Sequence, residues 1–273
     1  MSPKKVLTVA GSDCSGGAGI QADLKTFQER DVYGMCAVTC LVAMVPENWH
    51  HIVTAVDTDM IEKQFHAVAT GIGVDAAKTG MLPTVDIIKL VGKLLAEAKI
   101  PKLVIDPVMV CKGAGQPLFP ENTKAMIDYL LPLADVLTPN TFEAQQLAGM
   151  DDFTSEDDLL VAAKRIHEKG VKNVVIKAAR IFDGKTVDLL YDGKEAIWLR
   201  GEKLDTTWTH GAGCTFSACI TAELAKGKSV KDAVMMARDF VRCGLEHSFP
   251  LNQFVGPVYH KALAKYNPVI ASK

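Results

Sequence analysis

Short apolar runs alternate with helical periodicity along almost the whole chain, and this alternation limits the fold more than any other feature. "KVLTVA" (Lys5–Ala10) is a buried strand, and "GIQADLKTFQE" then sets Ile20, Leu24 and Phe27 at helical spacing. "AVTCLVAM" (Ala37–Met44) is a second strand, followed by the helical pattern "MIEKQFHAVATGI". The sequence goes on as strand "DAAKTGM", helix "VDIIKLVGKLLAEA", strand "KLVIDPVMV" and helix "TKAMIDYLLP". Strand "ADVLTPN" leads into helix "TFEAQQLAG", and a further helix, "LLVAAKRIHEKG", leads into strand "KNVVIKAA". "TVDLLYDGKEAIWL" is a hairpin turning at Asp192-Gly193, and helices over 213–226 and 230–247 close the chain.

Repeated strand–helix units demand a mainly parallel central sheet with helices on both faces. No linker, repeat or low-complexity segment interrupts the pattern, so residues 1–273 are expected to form one α/β domain. In such sheets ligands bind beyond the carboxyl ends of the strands. Attention therefore falls on "GSDCSGGAG", "KTGM", "DPVMVCKGAG", "TPNTFEA", "KAAR" and "HGAGC".

Composition removes several function classes. The net charge is −2 with no basic stretch, which argues against nucleic-acid binding. No apolar run reaches the roughly 18 residues of a membrane span, and the N-terminus lacks the long apolar region of a signal peptide. The seven cysteines include no CxxC pair, so neither a disulfide framework nor a zinc site is expected. The expected location is the cytoplasm. His50 and His51 are expected in a loop.

Two glycine-rich loops can carry chemistry. "AGSDCSGGAGIQAD" runs from a strand into a helix, but it is not a clean GxGxxG, and no acid ends a second strand where a ribose would need it. "DGKT" and "KGKS" lack the upstream glycine of a Walker A loop. The second loop, "HGAGC", precedes a helix. There the amides of Gly211, Ala212, Gly213 and Cys214 would face an anion at a helix N-terminus. The same helix dipole would favour the Cys214 thiolate, a base for an incoming hydroxyl, with His210 placed to tune it or relay its proton. An inert, glycine-capped helix start is the plain alternative.

Asn140 and Glu143 lie three apart at a helix start, a spacing suited to Mg²⁺ shared with nucleotide phosphates, although capping alone would account for it. Asp106, at a strand end, is a candidate for the same ion. Lys177 emerges at the end of "VVIK", within reach of phosphate. Lys112 is a further candidate for phosphate, on a loop that Gly113 and Gly115 make mobile.

Taken together, "LTVAGSDCSGGAGIQADLKTF", "KTGML", "DPVM", "TPN", "VVIK" and "HGAGCTFSA" resemble the ribokinase-like superfamily, in particular its hydroxymethylpyrimidine (phosphate) kinases and related pyridoxal kinases. The resemblance runs from Lys5 to about His260. It implies a three-layer sandwich without a separate lid domain, a dimer, and ATP- and Mg²⁺-dependent phosphorylation of a ring-borne hydroxymethyl group. It places the anion hole and base on Gly211 to Cys214, the nucleotide and magnesium motif on Asn140 and Glu143, and the phosphate lysine on Lys177. The substrate ring would lie near Gly11, Asp13, Ala18, Asp23, Met81 and Val108.

One departure bears on the substrate. Pyrimidine kinases of this kind usually carry glutamine where this chain has Met44, and a thioether cannot pair with an aminopyrimidine edge. Cys111, in the loop expected to cover the site, could add reversibly to an aldehyde as a hemithioacetal. Both features favour pyridoxal, with the pyrimidine as the alternative substrate. An oxidoreductase using the first glycine loop and a non-catalytic B6 carrier are the remaining readings.

Overall fold

The computed structural model describes residues 2–109, 120–177, 181–182 and 185–272. Strand β1 (Lys4–Asp13) leads through α1 (Gly19–Glu29) to β2 (Val32–Met44) and β3 (His51–Ala55). Helix α2 (Thr58–Phe65) continues as a π-helical segment, His66–Ile72, before β4 (Ala76–Thr79), α3 (Val85–Ala98) and β5 (Leu103–Ile105). Next come α4 (Pro120–Tyr129), β6 (Val136–Leu137), α5 (Thr141–Ala148), α6 (Glu156–His167) and β7 (Asn173–Ile176). Three strands follow, β8 (Ile181–Phe182), β9 (Lys185–Tyr191) and β10 (Ala196–Glu202). Helices α7 (Ala212–Ala225), α8 (Val230–Glu246), α9 (Ala262–Tyr266) and α10 (Pro268–Ala271) complete the described chain.

The strands make one sheet in the order β10-β9-β7-β6-β5-β4-β1-β2-β3, with β8 paired to β9 off this path. Its centre is parallel: β2, β1, β4, β5, β6 and β7 run together. Both flanks are antiparallel, because β2–β3 and β9–β10 are joined by turns too short for a crossover helix. The hairpin at Asp192-Gly193 forms as the sequence predicts. One expectation fails at the opposite flank. His51 is not in a loop: "HIVTA" is the edge strand β3, too short and too exposed to show a core-facing alternation.

The side-chain alternation of β1 explains the layers. Leu7 and Val9 face one core, built with α2 to α6, while Val6 faces another, built with α1 and α7. Helix α7 is buried on every side from Thr215 to Ala225. It packs between the sheet and its neighbours α1 and α8, which accounts for its lack of a polar face. The result is helices on both faces of a mainly parallel sheet, the three-layer α/β sandwich expected from the sequence.

Candidate active site

A pocket of about 220 Å³ opens at the carboxyl ends of β1, β4, β5 and β7, against the first turn of α7. The expected ring-binding residues Gly11, Asp13, Ala18, Asp23, Met44, Met81 and Val108 all line it. So do Asp106, Asn140, Glu143 and Lys177, together with His210, Gly211, Ala212, Gly213 and Cys214. Residues from Gly11 to Cys214 thus converge on one cavity. Cys111 and Lys112, with Gly113 and Gly115, lie outside the described residues.

The glycine loop is built as an anion site. Gly211 caps α7 with φ +77°, and a Cβ there would lie 1.8 Å from the Gly17 carbonyl oxygen, so only glycine fits. First-turn amides of a helix lack intrahelical acceptors. That of Ala212 turns back to the Thr209 carbonyl at 3.2 Å, so this member of the expected anion hole already holds an acceptor, and Gly211, Gly213 and Cys214 border the pocket beside it. Lys177 reaches the same loop, since a Cβ on Gly213 would sit 3.4 Å from its Nζ. Its ammonium also pairs with Asp106 Oδ1 at 3.2 Å.

Two electrostatic expectations need correction. The helix dipole does not dominate at Cys214: burial pushes this thiol up to about 12. Lys78 pulls it down, while Asp23 and Asp106 push it further up. Cys214 is therefore a thiol at rest, because loss of water outweighs the partial charge of one helix end. Nor is His210 a partner of Cys214. Its Nε2 donates to Asp13 Oδ2 at 2.8 Å, which ties the β1–α1 loop to the start of α7.

Asp13 also accepts from the amides of Ser15 and Ala18 and from the Ser15 hydroxyl. Burial works against its charge, but these hydrogen bonds and the His210 ring win and hold it at about 2. A carboxylate whose folded pKa is depressed stabilises fully above its unfolded value, about 4, and loses that contribution as pH falls through the folded one. The stability difference between wild type and Asp13→Asn is therefore expected to shrink between about pH 4 and about pH 2. Urea midpoints measured across that window check this; a constant difference would mean that the variant's cost lies elsewhere.

Asn140 and Glu143 form a reciprocal cap on α5. Asn140 Oδ1 accepts from the Glu143 amide at 2.9 Å, and Glu143 Oε2 accepts from the Asn140 amide at 2.8 Å. The pair therefore does structural work whatever else it binds. Burial, reinforced by nearby Asp106 and opposed by Lys177, lifts the Glu143 carboxyl to about 7. Among the described residues no three His, Cys, Asp or Glu side chains gather as a metal cage. The hard oxygen donors of Asp106 and Glu143, both near Lys177, suit a magnesium ion that keeps water and phosphate ligands of its own.

Two pocket residues escaped the sequence reading. Lys78 sits on the central strand β4 with a fully buried side chain, paired with Asp23 Oδ1 at 2.8 Å. Thr8 donates to the other oxygen of Asp23 at 2.6 Å, so both oxygens already hold a protein partner. A charge within an otherwise apolar strand was the available signal. His51 is the other; its β-branched neighbours Ile52, Val53 and Thr54 marked a strand.

Comparison with known proteins gives a consistent neighbourhood. A family model described as phosphomethylpyrimidine kinase matches residues 13–259. The pyridoxine kinase of Bacillus subtilis (strain 168) is 57% identical over 265 residues, covering 96% of this chain and 98% of that protein. A hydroxymethylpyrimidine/phosphomethylpyrimidine kinase of Haemophilus influenzae is 41% identical over 270 residues, covering 96% and 98%. The structure of Staphylococcus aureus pyridoxal kinase in complex with AMP-PCP and pyridoxal superposes with a TM-score of 0.91 at 48% identity, covering 97% of this chain and 96% of that one.

Proposed function

The chain belongs to the phosphomethylpyrimidine kinase family, and from that membership we propose that it is an ATP-dependent vitamin B6 kinase. It transfers the γ-phosphoryl group of ATP to the 5-hydroxymethyl oxygen of pyridoxal, giving pyridoxal 5'-phosphate and ADP. The likeness to the Bacillus pyridoxine kinase carries this choice, at 57% against 41% for the Haemophilus pyrimidine kinase. Met44 in the pocket wall supports it, since a thioether neither donates to nor strongly accepts from an aminopyrimidine.

In this reading the ring lies between Gly11, Ala18, Met44, Met81 and Val108, with its hydroxymethyl group toward Cys214. Cys214, as thiolate, takes the hydroxyl proton; the freed oxygen bonds to the γ-phosphorus as the bond to the β,γ-bridging oxygen breaks. Lys78 and the Gly19 amide are the groups that favour that thiolate. The amides of Gly211, Gly213 and Cys214 and the Lys177 ammonium meet the negative charge of the moving phosphoryl group. Asp106 and Glu143 would hold Mg²⁺, which supplies charge neutralisation to the phosphates.

The cysteine pattern, without a CxxC pair, supports a reducing compartment such as the cytoplasm. The exposed Leu41 and Ile52 on the β2–β3 flank offer a face to a second copy in a homodimer. One continuous sheet supports a single domain over residues 1–273.

The test is product identity. With Mg-ATP and an equimolar mixture of pyridoxal and hydroxymethylpyrimidine, pyridoxal phosphate is expected as the main product by mass spectrometry, with matching ADP release. Phosphorylated pyrimidine as the main product would move the enzyme to the pyrimidine reading while keeping the same machinery.

A further inference from the structure

His51 opens β3 directly opposite Met44 of β2 in the antiparallel register. Residues directly opposite share one face of a sheet, and both side chains line the 220 Å³ pocket. His51 also borders a second cavity of about 250 Å³, with Trp49, His210 and Phe254. The imidazole therefore stands in the partition between two spaces. It is only 9% exposed, and its Nδ1 is buried with no hydrogen-bond partner among the described residues. Buried polar atoms are nearly always paired in folded proteins, so an unpaired one on a residue that lines a pocket asks for a ligand. Burial, with His210 acting in the same sense and Asp13 against it, holds the His51 pKa below its ordinary value and keeps the ring neutral. A neutral imidazole offers one donor and one acceptor.

We propose that His51 recognises the ring hydroxyl of the B6 substrate, and that the Met44–His51 pair is the wall that selects a hydroxypyridine over an aminopyrimidine. The inference rests on the B6 reading above and deepens it. An aminopyrimidine edge sets an amine donor beside a ring-nitrogen acceptor, and so needs a donor and an acceptor side by side on the protein. The wall instead presents one imidazole beside a thioether. A single ring hydroxyl, which can donate or accept, is satisfied by one nitrogen. A half-turn of the ring about Cβ–Cγ exchanges Nδ1 with Cδ2, so that nitrogen can be offered to either side.

Wild type, His51→Ala and His51→Asn would each be assayed with pyridoxine and with 3-deoxypyridoxine, which lacks the ring hydroxyl. On pyridoxine, His51→Ala is expected to lose about 10- to 100-fold in kcat/KM, mostly through KM, and His51→Asn to keep part of it. On 3-deoxypyridoxine the three proteins are expected to agree within about twofold. Equal losses on both substrates, or no loss on pyridoxine, would overturn the assignment. If neither variant folds, binding to wild type decides: pyridoxine should bind about tenfold more tightly than 3-deoxypyridoxine, and equal affinities would overturn it. A wild type that phosphorylates hydroxymethylpyrimidine but not pyridoxine would bring down the B6 reading itself. Activity on pyridoxine with an indifferent His51 would bring down only this inference.

Discussion

Replacing Cys214 with alanine is expected to lower kcat on pyridoxal by about 100- to 10,000-fold, the usual worth of a positioned general base. ATP affinity should change little, because the loop amides that meet phosphate come from the backbone and survive the substitution. The effect belongs in kcat, since proton removal is needed only as the phosphoryl group moves. Cys214→Asp should recover part of the rate, because the resemblance to the ribokinase-like superfamily implies an aspartate base at that position in most of its members and a cysteine in this branch. The resting thiol, pushed up to about 12, adds a sign to the test. Turnover should rise with pH across the neutral range, as the reactive thiolate fraction grows, and the slope should vanish in Cys214→Asp. A kcat for Cys214→Ala within threefold of wild type, as measured by ADP release, would take the base away from this residue.

The second large effect is on stability. Lys78→Met should destabilise the fold by about 3–5 kcal/mol, because it strands Asp23 as an uncompensated buried charge. For a chain of this size that corresponds to a fall in Tm of roughly 6–20 °C. The control is Lys172, whose ion pair with Asp135 lies at the surface with the lysine side chain 69% exposed. Lys172→Met should change stability by no more than about 1 kcal/mol. The double variant Lys78→Met, Asp23→Leu removes both charges and should regain much of the loss while leaving the kinase impaired. Calorimetry on the four proteins separates the cases; equal shifts for the two lysine variants would mean that the Lys78–Asp23 pair is not electrostatically isolated from water.

The order of strands and helices is legible because buried central strands and amphipathic helices carry different periods. Ile20, Leu24 and Phe27 repeat every three to four residues, while Lys5–Ala10 runs apolar without a break. The loops that close the pocket are legible for a second reason: "HGAGC" and "GSDCSGGAG" gather small residues where backbone must approach backbone, as the contact of Gly211 with Gly17 demonstrates. What stays hidden depends on distant partners. Nothing near Lys78 announces that Asp23 will meet it, and nothing near His210 announces Asp13, 197 positions away. The expected Cys214 thiolate fails for the same cause. A helix start is local and readable, but the water excluded by surrounding elements is not.

The tie between His210 and Asp13 has a consequence for the birth of the protein. On the ribosome, the first glycine loop emerges long before residue 210, so its buried aspartate must wait for its partner. Arg30 waits almost as long, 193 positions, for Glu223, with which it forms a pair in which both side chains are almost wholly buried. Until α7 arrives, the end of β1 and the end of α1 carry charges prepared for burial that water must still solvate. Both ties therefore close only once residues 210–223 have been made, so the pocket and the buried charges beneath it are completed together, late in synthesis.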